Sequence, residues 1–290
     1  MTTTAGDATG DGRAAISSVA RETLEPVLQP LRLAWEIFCF SLRALINVPA
    51  ALKHRAVIVK NVNDIAVGSG AFLLGAGTII VMIFMTAVLG IQVSLEGTKG
   101  LELIGAEGLI GFVSAFANIR EIAPLGAGII FAAQIGANFT AELGAMRVSD
   151  EIDALDVMSV PSLRYLVSTR LIASYLTVLP LYAIGLYIQL VATKLTAVKM
   201  FGVAPGIYAQ YFNLYLPRQD VVYSVLKCLV FITLITFIHC YYGFTVRGGP
   251  EDVGRAVGRS VRLSVTLIFI VNFFMSLVFF GATSSIRFSG

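Results

Sequence analysis

Two places in this chain gather charged side chains inside otherwise apolar sequence. Arg120 and Glu121 stand side by side between two uncharged runs. Neither is cheap in hydrocarbon, so each is expected to face a cavity or a partner. The pair has two readings. It is a polar point on the path of an amphiphile, since an arginine can grip a carboxylate through two parallel hydrogen bonds. Or it is an interfacial charge pair marking a helix start, with Pro124 in the first turn. The second place is EIDALDVM, Glu151 to Met158. Ser149 is placed to cap a helix there, and Asp150, Glu151 and Asp153 suit its positive end. Ile152, Leu155 and Met158 share one face, and Pro161 ends the segment. Ala154, Leu155, Val157 and Met158 set among Glu151, Asp153 and Asp156 suit docking into a groove of a soluble partner. The plainer alternative, a solvated surface helix, does not explain that apolar set.

Other polar residues carry weaker signals. Gln134, Asn138 and Glu142 recur every four residues and suit hydrogen bonding between helices. Lys227 is placed to reach a membrane surface along its own aliphatic stem. No G-x-x-x-x-G-K-[ST], H-E-x-x-H or G-x-S-x-G occurs, and no paired carboxylates stand with a supporting His. ATP hydrolysis, if it drives this protein, is therefore assigned to another chain. His54 and His239 lack ligand-like spacing, and Cys39, Cys228 and Cys240 lack C-x-x-C spacing, so neither a metal site nor a disulfide is expected.

The elements that must position these residues are membrane helices. Hydrophobic residues make up 57% of the chain and charged ones only 13%, which excludes an ordinary soluble domain. Uncharged runs at 65–95, 122–141, 171–193, 228–246 and 263–286 are each near the ~20 residues that cross a bilayer. The expectation is an all-α polytopic membrane protein with spans at about 65–95, 122–141, 171–193, 222–246 and 263–286. Residues 108–119 are too short to cross alone. Residues 200–217, with Pro205, Gly206, Pro217 and four aromatic residues, read as an interfacial loop. Residues 30–48 read as an interfacial helix, because Arg32, Glu36, Arg43 and Asn47 form a narrow polar stripe; a short sixth span is the alternative. Residues 1–25 form a tail whose first 15 positions have a disordered composition. No apolar signal segment opens the chain. The Lys and Arg bias places the N-terminus and residues 149–160 in the cytoplasm and the C-terminus outside. That bias explains the net charge of +3 without a nucleic-acid partner. Gly128, Ala132, Gly136, Thr140 and Gly144 recur every four residues and predict a close helix-packing seam.

Several segments together resemble the permease subunits of MlaE/YrbE-type ABC lipid transporters. They are REIAP at 120–124, AELGAMRV at 141–148, EIDALDVM at 151–158, YLVSTR at 165–170, and YYGFTVRGGPEDVGRAVGRSVRLS at 241–264. The likeness covers roughly residues 30–285. It implies a permease domain over 26–290, with Glu151–Met158 as the coupling helix to the ATPase. It favours the lipid path for Arg120 and Glu121. It implies a cytoplasmic ABC ATPase dimer using ATP and Mg, a second permease, and a hexamer of MCE-domain proteins on the outer side. The family often carries Arg near position 134, so Gln134 argues against a charged lipid contact there. Gln134 and the N-terminal composition resemble the actinobacterial Mce-type (YrbE) branch, as one half of a heterodimer. That branch implies import of fatty or mycolic acids across the plasma membrane; phospholipids or sterols are the alternative cargo. Outside transport, a membrane scaffold or a lipid-modifying enzyme are the competing classes.

Overall fold

The structure, a computed structural model, describes residues 29, 31–67 and 77–281. Among them there is no strand, and the protein is all-α as its composition implies. By internal contacts it divides into two units, Met1–Ile46 and Asn47–Gly290. The described part of the first is helix α1 (31–46). Its exposed Leu31, Trp35, Phe38, Leu42 and Leu45 repeat at helical spacing and make one apolar stripe. That stripe suits a helix lying in an interface. The helix ends at Ile46, two residues short of the expected boundary, with a turn at Asn47.

The second unit runs through α2 (Val48–Ala51), α3 (Arg55–Val67), α4 (Thr78–Glu102), α5 (Glu107–Val148), α6 (Glu151–Val157), α7 (Leu163–Met200), α8 (Pro205–Leu214), α9 (Arg218–Phe244) and α10 (Pro250–Phe280). Among the described residues, α4, α5, α7, α9 and α10 are long and apolar enough to cross a membrane. Their limits depart from the charge gaps for a common reason. Charges interrupt hydrocarbon but not a helix, so each rod continues into polar surroundings. The first span begins at Thr78 rather than 65 and runs on through Glu96, Lys99 and Glu102. Residues 65–67 belong to α3, and 68–76 lie outside the described residues, as do Gly68, Gly70 and Gly75. Helix α10 begins 13 residues before the uncharged run and takes in Arg255, Arg259 and Arg262.

Two ambiguous runs take definite form. Residues 108–119 do not stand alone: they join 122–141 in the single 42-residue rod α5. At 1.5 Å per residue that is ~63 Å, about twice a hydrocarbon thickness. Residues 205–214 are helical, not a loop, with Pro205 in the first turn. Tyr208 anchors α8 in a cluster with Ile110, Ala197 and Val203, and donates to Ser114 Oγ at 2.7 Å.

Small and hydroxyl side chains set the closest helix approaches, with large apolar residues such as Phe131 and Phe231 buried beside them. The most extensive pairing is α4 with the Thr169–Met200 part of α7. The buried stripe of α4 is Thr78, Met82, Thr86, Gly90, Ser94 and Thr98, every fourth residue. Gly90 lies against the Gln189 backbone, and Thr193 Oγ donates to the Gly90 carbonyl at 2.9 Å. Bulky residues such as Ile80, Phe84 and Val88 point outward, where acyl chains are the solvent. A Cβ at Gly90 would collide with the Gln189 carbonyl. Gly90→Ala is therefore expected to destabilise the fold by about 1–3 kcal/mol. Gly100→Ala, in the same helix with nothing within 4 Å, should be neutral or stabilising by up to ~1 kcal/mol. Thermal unfolding in detergent compares them; equal melting temperatures would refute the tight crossing.

Candidate functional site

Four charged residues of the spans, Arg120, Glu121, Asp220 and Lys227, meet at one level. Pro124 sits within α5 and has no N–H, so the carbonyl one turn back loses its helical partner. Around it, Ser114–Ile122 widens into π-helix, a form common at functional sites. Side chains of α9 supply the missing donors. Ser224 Oγ donates to the Ile119 carbonyl at 2.6 Å, and Lys227 Nζ to the Arg120 carbonyl at 2.8 Å.

Lys227 is 0% exposed, yet all three of its N–H groups are used. The other two reach Glu121 Oε1 at 3.0 Å and Ser276 Oγ at 2.6 Å. Ser276 in turn donates to Glu121 Oε1, and Asn272 Nδ2 donates to Oε2 at 2.7 Å. Three spans, α5, α9 and α10, are thereby tied through one carboxylate. Lys227 does not extend to a membrane surface as its aliphatic stem led us to expect. The three contacts replace the water it would seek there.

Arg120 and Glu121 do not pair with each other. Arg120 Nε bonds Asp220 Oδ2 at 2.5 Å, and its guanidinium lies 4.1 Å from the Phe116 centroid and 4.5 Å from Phe280. Consecutive helical residues point ~100° apart, so the two side chains take separate partners. Only Nε is engaged by Asp220. The two terminal nitrogens have no partner among the described residues, and the side chain is 20% exposed. Arg120 can thus accept a second anion.

The other end of the spans carries a second set of contacts. The seam Gly128, Ala132, Gly136, Thr140 and Gly144 is wholly buried within the chain. It faces α9 and α10: Gly128 meets Phe231 and Ile268, Gly136 meets the His239 ring, and Gly144 meets Val253. Thr140 Oγ lies 2.8 Å from His239 Nδ1 and 3.1 Å from Ser260 Oγ, and His239 Nε2 lies 3.1 Å from Ser264 Oγ. In the polar stripe only Glu142 makes an ion pair, with Arg170 Nη2 at 2.7 Å. Asn138 and Glu142 instead line a cleft with Asn61 and Asp64.

Helix α6 follows α5 directly. Asp150 (φ 58) and Ser159 (φ 61) are left-handed at its two ends. Ser149 does not cap it: its hydroxyl turns back to the Ala145 carbonyl at 3.0 Å and to Glu151. The left-handed turn at Asp150 carries the Ser149 side chain away from the free N–H groups. Termination comes before Pro161, where Ser159 N–H bonds the Asp156 carbonyl and Val160 N–H the Leu155 carbonyl. The expected apolar face divides. Ile152 is fully buried, Leu155 is half-buried, and Met158 is 64% exposed beside Val157 at 86%. Asp153 pairs with Arg147, and Asp156 accepts the Ser162 N–H at 3.2 Å. The surface open to a partner is Ala154, Val157 and Met158, rimmed by Glu151, Asp153 and Asp156.

Sequence reasoning missed Asp220, Asn272 and Ser276. A signal was present. Asn272 and Ser276 are polar residues four apart in an uncharged run, and Ser264 and Ser260 continue the series. Ala256, Ser260, Ser264, Ile268 and Asn272 form the buried stripe of α10.

Five apolar spans tied together by buried charge define a multi-pass membrane protein. Comparison with known proteins agrees. The family described as Permease MlaE matches residues 68–278. A probable ABC transporter permease of Rickettsia bellii is 30% identical over 86% of this chain and 94% of its own length. One from Synechocystis is 28% identical over 73% and 80%. The chloroplastic protein trigalactosyldiacylglycerol 1 of Arabidopsis thaliana is 30% identical over 71% of this chain and 59% of its own. The chain belongs to the MlaE permease family and is an ABC transporter permease.

Removing one partner of a buried ion pair leaves the other charge uncompensated. Lys227→Met is expected to destabilise the protein by about 2–3 kcal/mol, below the ~3–5 of a fully buried pair because Glu121 stays 36% exposed. Adding Glu121→Gln should recover much of the loss. Thermal unfolding of the two singles and the double checks the coupling; additive losses would contradict it.

Proposed function

We propose that this chain is the transmembrane subunit of an ATP-driven lipid transporter of the Mce (YrbE) type, importing fatty or mycolic acids across the plasma membrane. The observation that supports it is the course of α5. One continuous rod carries α6 at one end and Arg120 and Glu121 ~40 Å away. A cytoplasmic ABC ATPase dimer, supplying ATP and Mg chemistry of its own, grips Ala154, Val157 and Met158. Movement of α6 reaches the Arg120 level through α5, whose π-helical stretches can change register. A second permease, different in sequence, completes the cavity, and a hexamer of MCE-domain proteins receives or delivers lipid outside. Arg120, with Asp220 on one side of its guanidinium, offers the other side to a carboxylate or phosphate. The Arabidopsis relative's name, that of a galactolipid, supports a lipid cargo.

Val157→Asp is the direct test. The side chain is 86% exposed, so the fold tolerates it. In a partner's groove the new carboxylate costs several kcal/mol. Co-purification of the ATPase and uptake of a labelled fatty acid should both be lost. Arg120→Ala should lower uptake severalfold while the ATPase still co-purifies. Normal uptake by both variants would refute the transport route; uptake of labelled phospholipid but not fatty acid would reassign the cargo.

Orientation rests on the Lys and Arg bias. In a background lacking Cys39, Cys228 and Cys240, Gly254→Cys should react with an impermeant thiol reagent only from the cytoplasm. Met200→Cys should react only from outside. The opposite labelling would invert the topology.

A further inference from the structure

Helix α10 has a surface that the transport reading leaves unused. It is the least buried of the five spans, with only 17% of its most apolar stretch buried. Phe269, Ile270, Phe273 and Leu277 are exposed along one face. Arg255, Arg259 and Arg262 lie on that same face, about two to four turns toward the N-terminal end, since 100° per residue brings 255, 259, 262, 269 and 273 into one stripe. Gly254 and Gly258 stand beside them with nothing within 4 Å, and Glu251, Gly254, Arg255, Gly258, Arg259 and Arg262 line an open groove of about 560 Å³.

The charges are not equivalent. Arg255 is paired with Glu251 at 2.6 Å and lies 3.9 Å from Asp252. Arg259 and Arg262 have no acidic partner among the described residues. Two unpaired guanidinium groups thus stand over a glycine shelf. An apolar stripe begins ~10 Å further along the helix. That order, cation and then hydrocarbon, is the order of an anionic phospholipid.

We propose that this face of α10 binds an anionic glycerophospholipid of the surrounding leaflet. Its phosphate lies at Arg259 and Arg262, and its acyl chains lie along Phe269, Phe273 and Leu277. A planar guanidinium meets a phosphate through two parallel N–H bonds, and the missing Cβ atoms at Gly254 and Gly258 let the headgroup approach the helix. This site is distinct from the Arg120 level and does not depend on the cargo or on ATP. It requires only that α10 spans the bilayer.

The test places a reporter beside the stripe. Phe269→Trp is introduced with Trp35→Phe, which removes the chain's single native Trp. The full-length protein is reconstituted in phosphatidylcholine vesicles, and quenching by brominated phosphatidylglycerol is compared with quenching by brominated phosphatidylcholine. Each arginine near a membrane surface contributes ~1 kcal/mol, about fivefold in binding, so phosphatidylglycerol should be favoured by roughly 25-fold at most. Arg259→Gln with Arg262→Gln should reduce that preference nearly to one while leaving quenching by phosphatidylcholine unchanged. The Arg259→Lys, Arg262→Lys pair should keep most of it. Equal quenching by the two lipids in the reporter protein itself would overturn the proposal. Absence of quenching by either lipid would also overturn it, because the face would then be covered by a second permease or another protein.

Discussion

Pro124 has no N–H to donate, and it lies in a helix where water cannot make up the loss. In hydrocarbon every unsatisfied backbone group costs several kcal/mol, so the freed carbonyls of α5 must find donors nearby. Ser224 and Lys227 provide them. A lysine brought there needs a counter-charge, and Glu121 supplies it. The carboxylate then has further lone pairs to fill, and Asn272 and Ser276 of α10 fill them. One missing proton in the backbone thus fixes the mutual position of three spans.

The same solvent logic explains the rest of the packing. Lipid tails are as apolar as leucine, so burying leucine between spans gains little. Close approach and hydroxyl bonds gain more. Every-fourth-residue stripes rich in Gly, Ala, Ser and Thr therefore face inward on α4, α5 and α10, while Ile80 and Phe84 of α4 and Phe269 and Phe273 of α10 face outward. The buried polar clusters lie near both ends of the spans: Arg120–Asp220 with Glu121–Lys227 at one, and Glu142–Arg170 with His239 and Thr140 at the other. Between Arg120 and Glu142 the helix rises ~33 Å, about one hydrocarbon thickness.

Helix α6, the proposed docking surface, is built from very few residues. Ile152 fixes it to its own chain, being fully buried, while left-handed turns at Asp150 and Ser159 set both ends. What remains outward is small and apolar with an acidic rim.

Membrane class, helical fold, the short acidic helix and the small-residue seam of α5 were all legible in the chain. Each depends on periodicity or charge within one segment, and local spacing is what a sequence records. The permease likeness was legible too, because its motifs are contiguous. Pairing across segments was not. Arg120 and Glu121 are neighbours in the chain yet bind Asp220 and Lys227, about a hundred residues away, because successive helical side chains diverge by ~100°. The fusion of 108–119 with 122–141 depended on donors from α9 that cover Pro124. The division of Ile152, Leu155 and Met158 between core and surface depended on how α6 is seated against α5. In each case the deciding atoms belong to another helix, and only the tertiary structure brings them within reach.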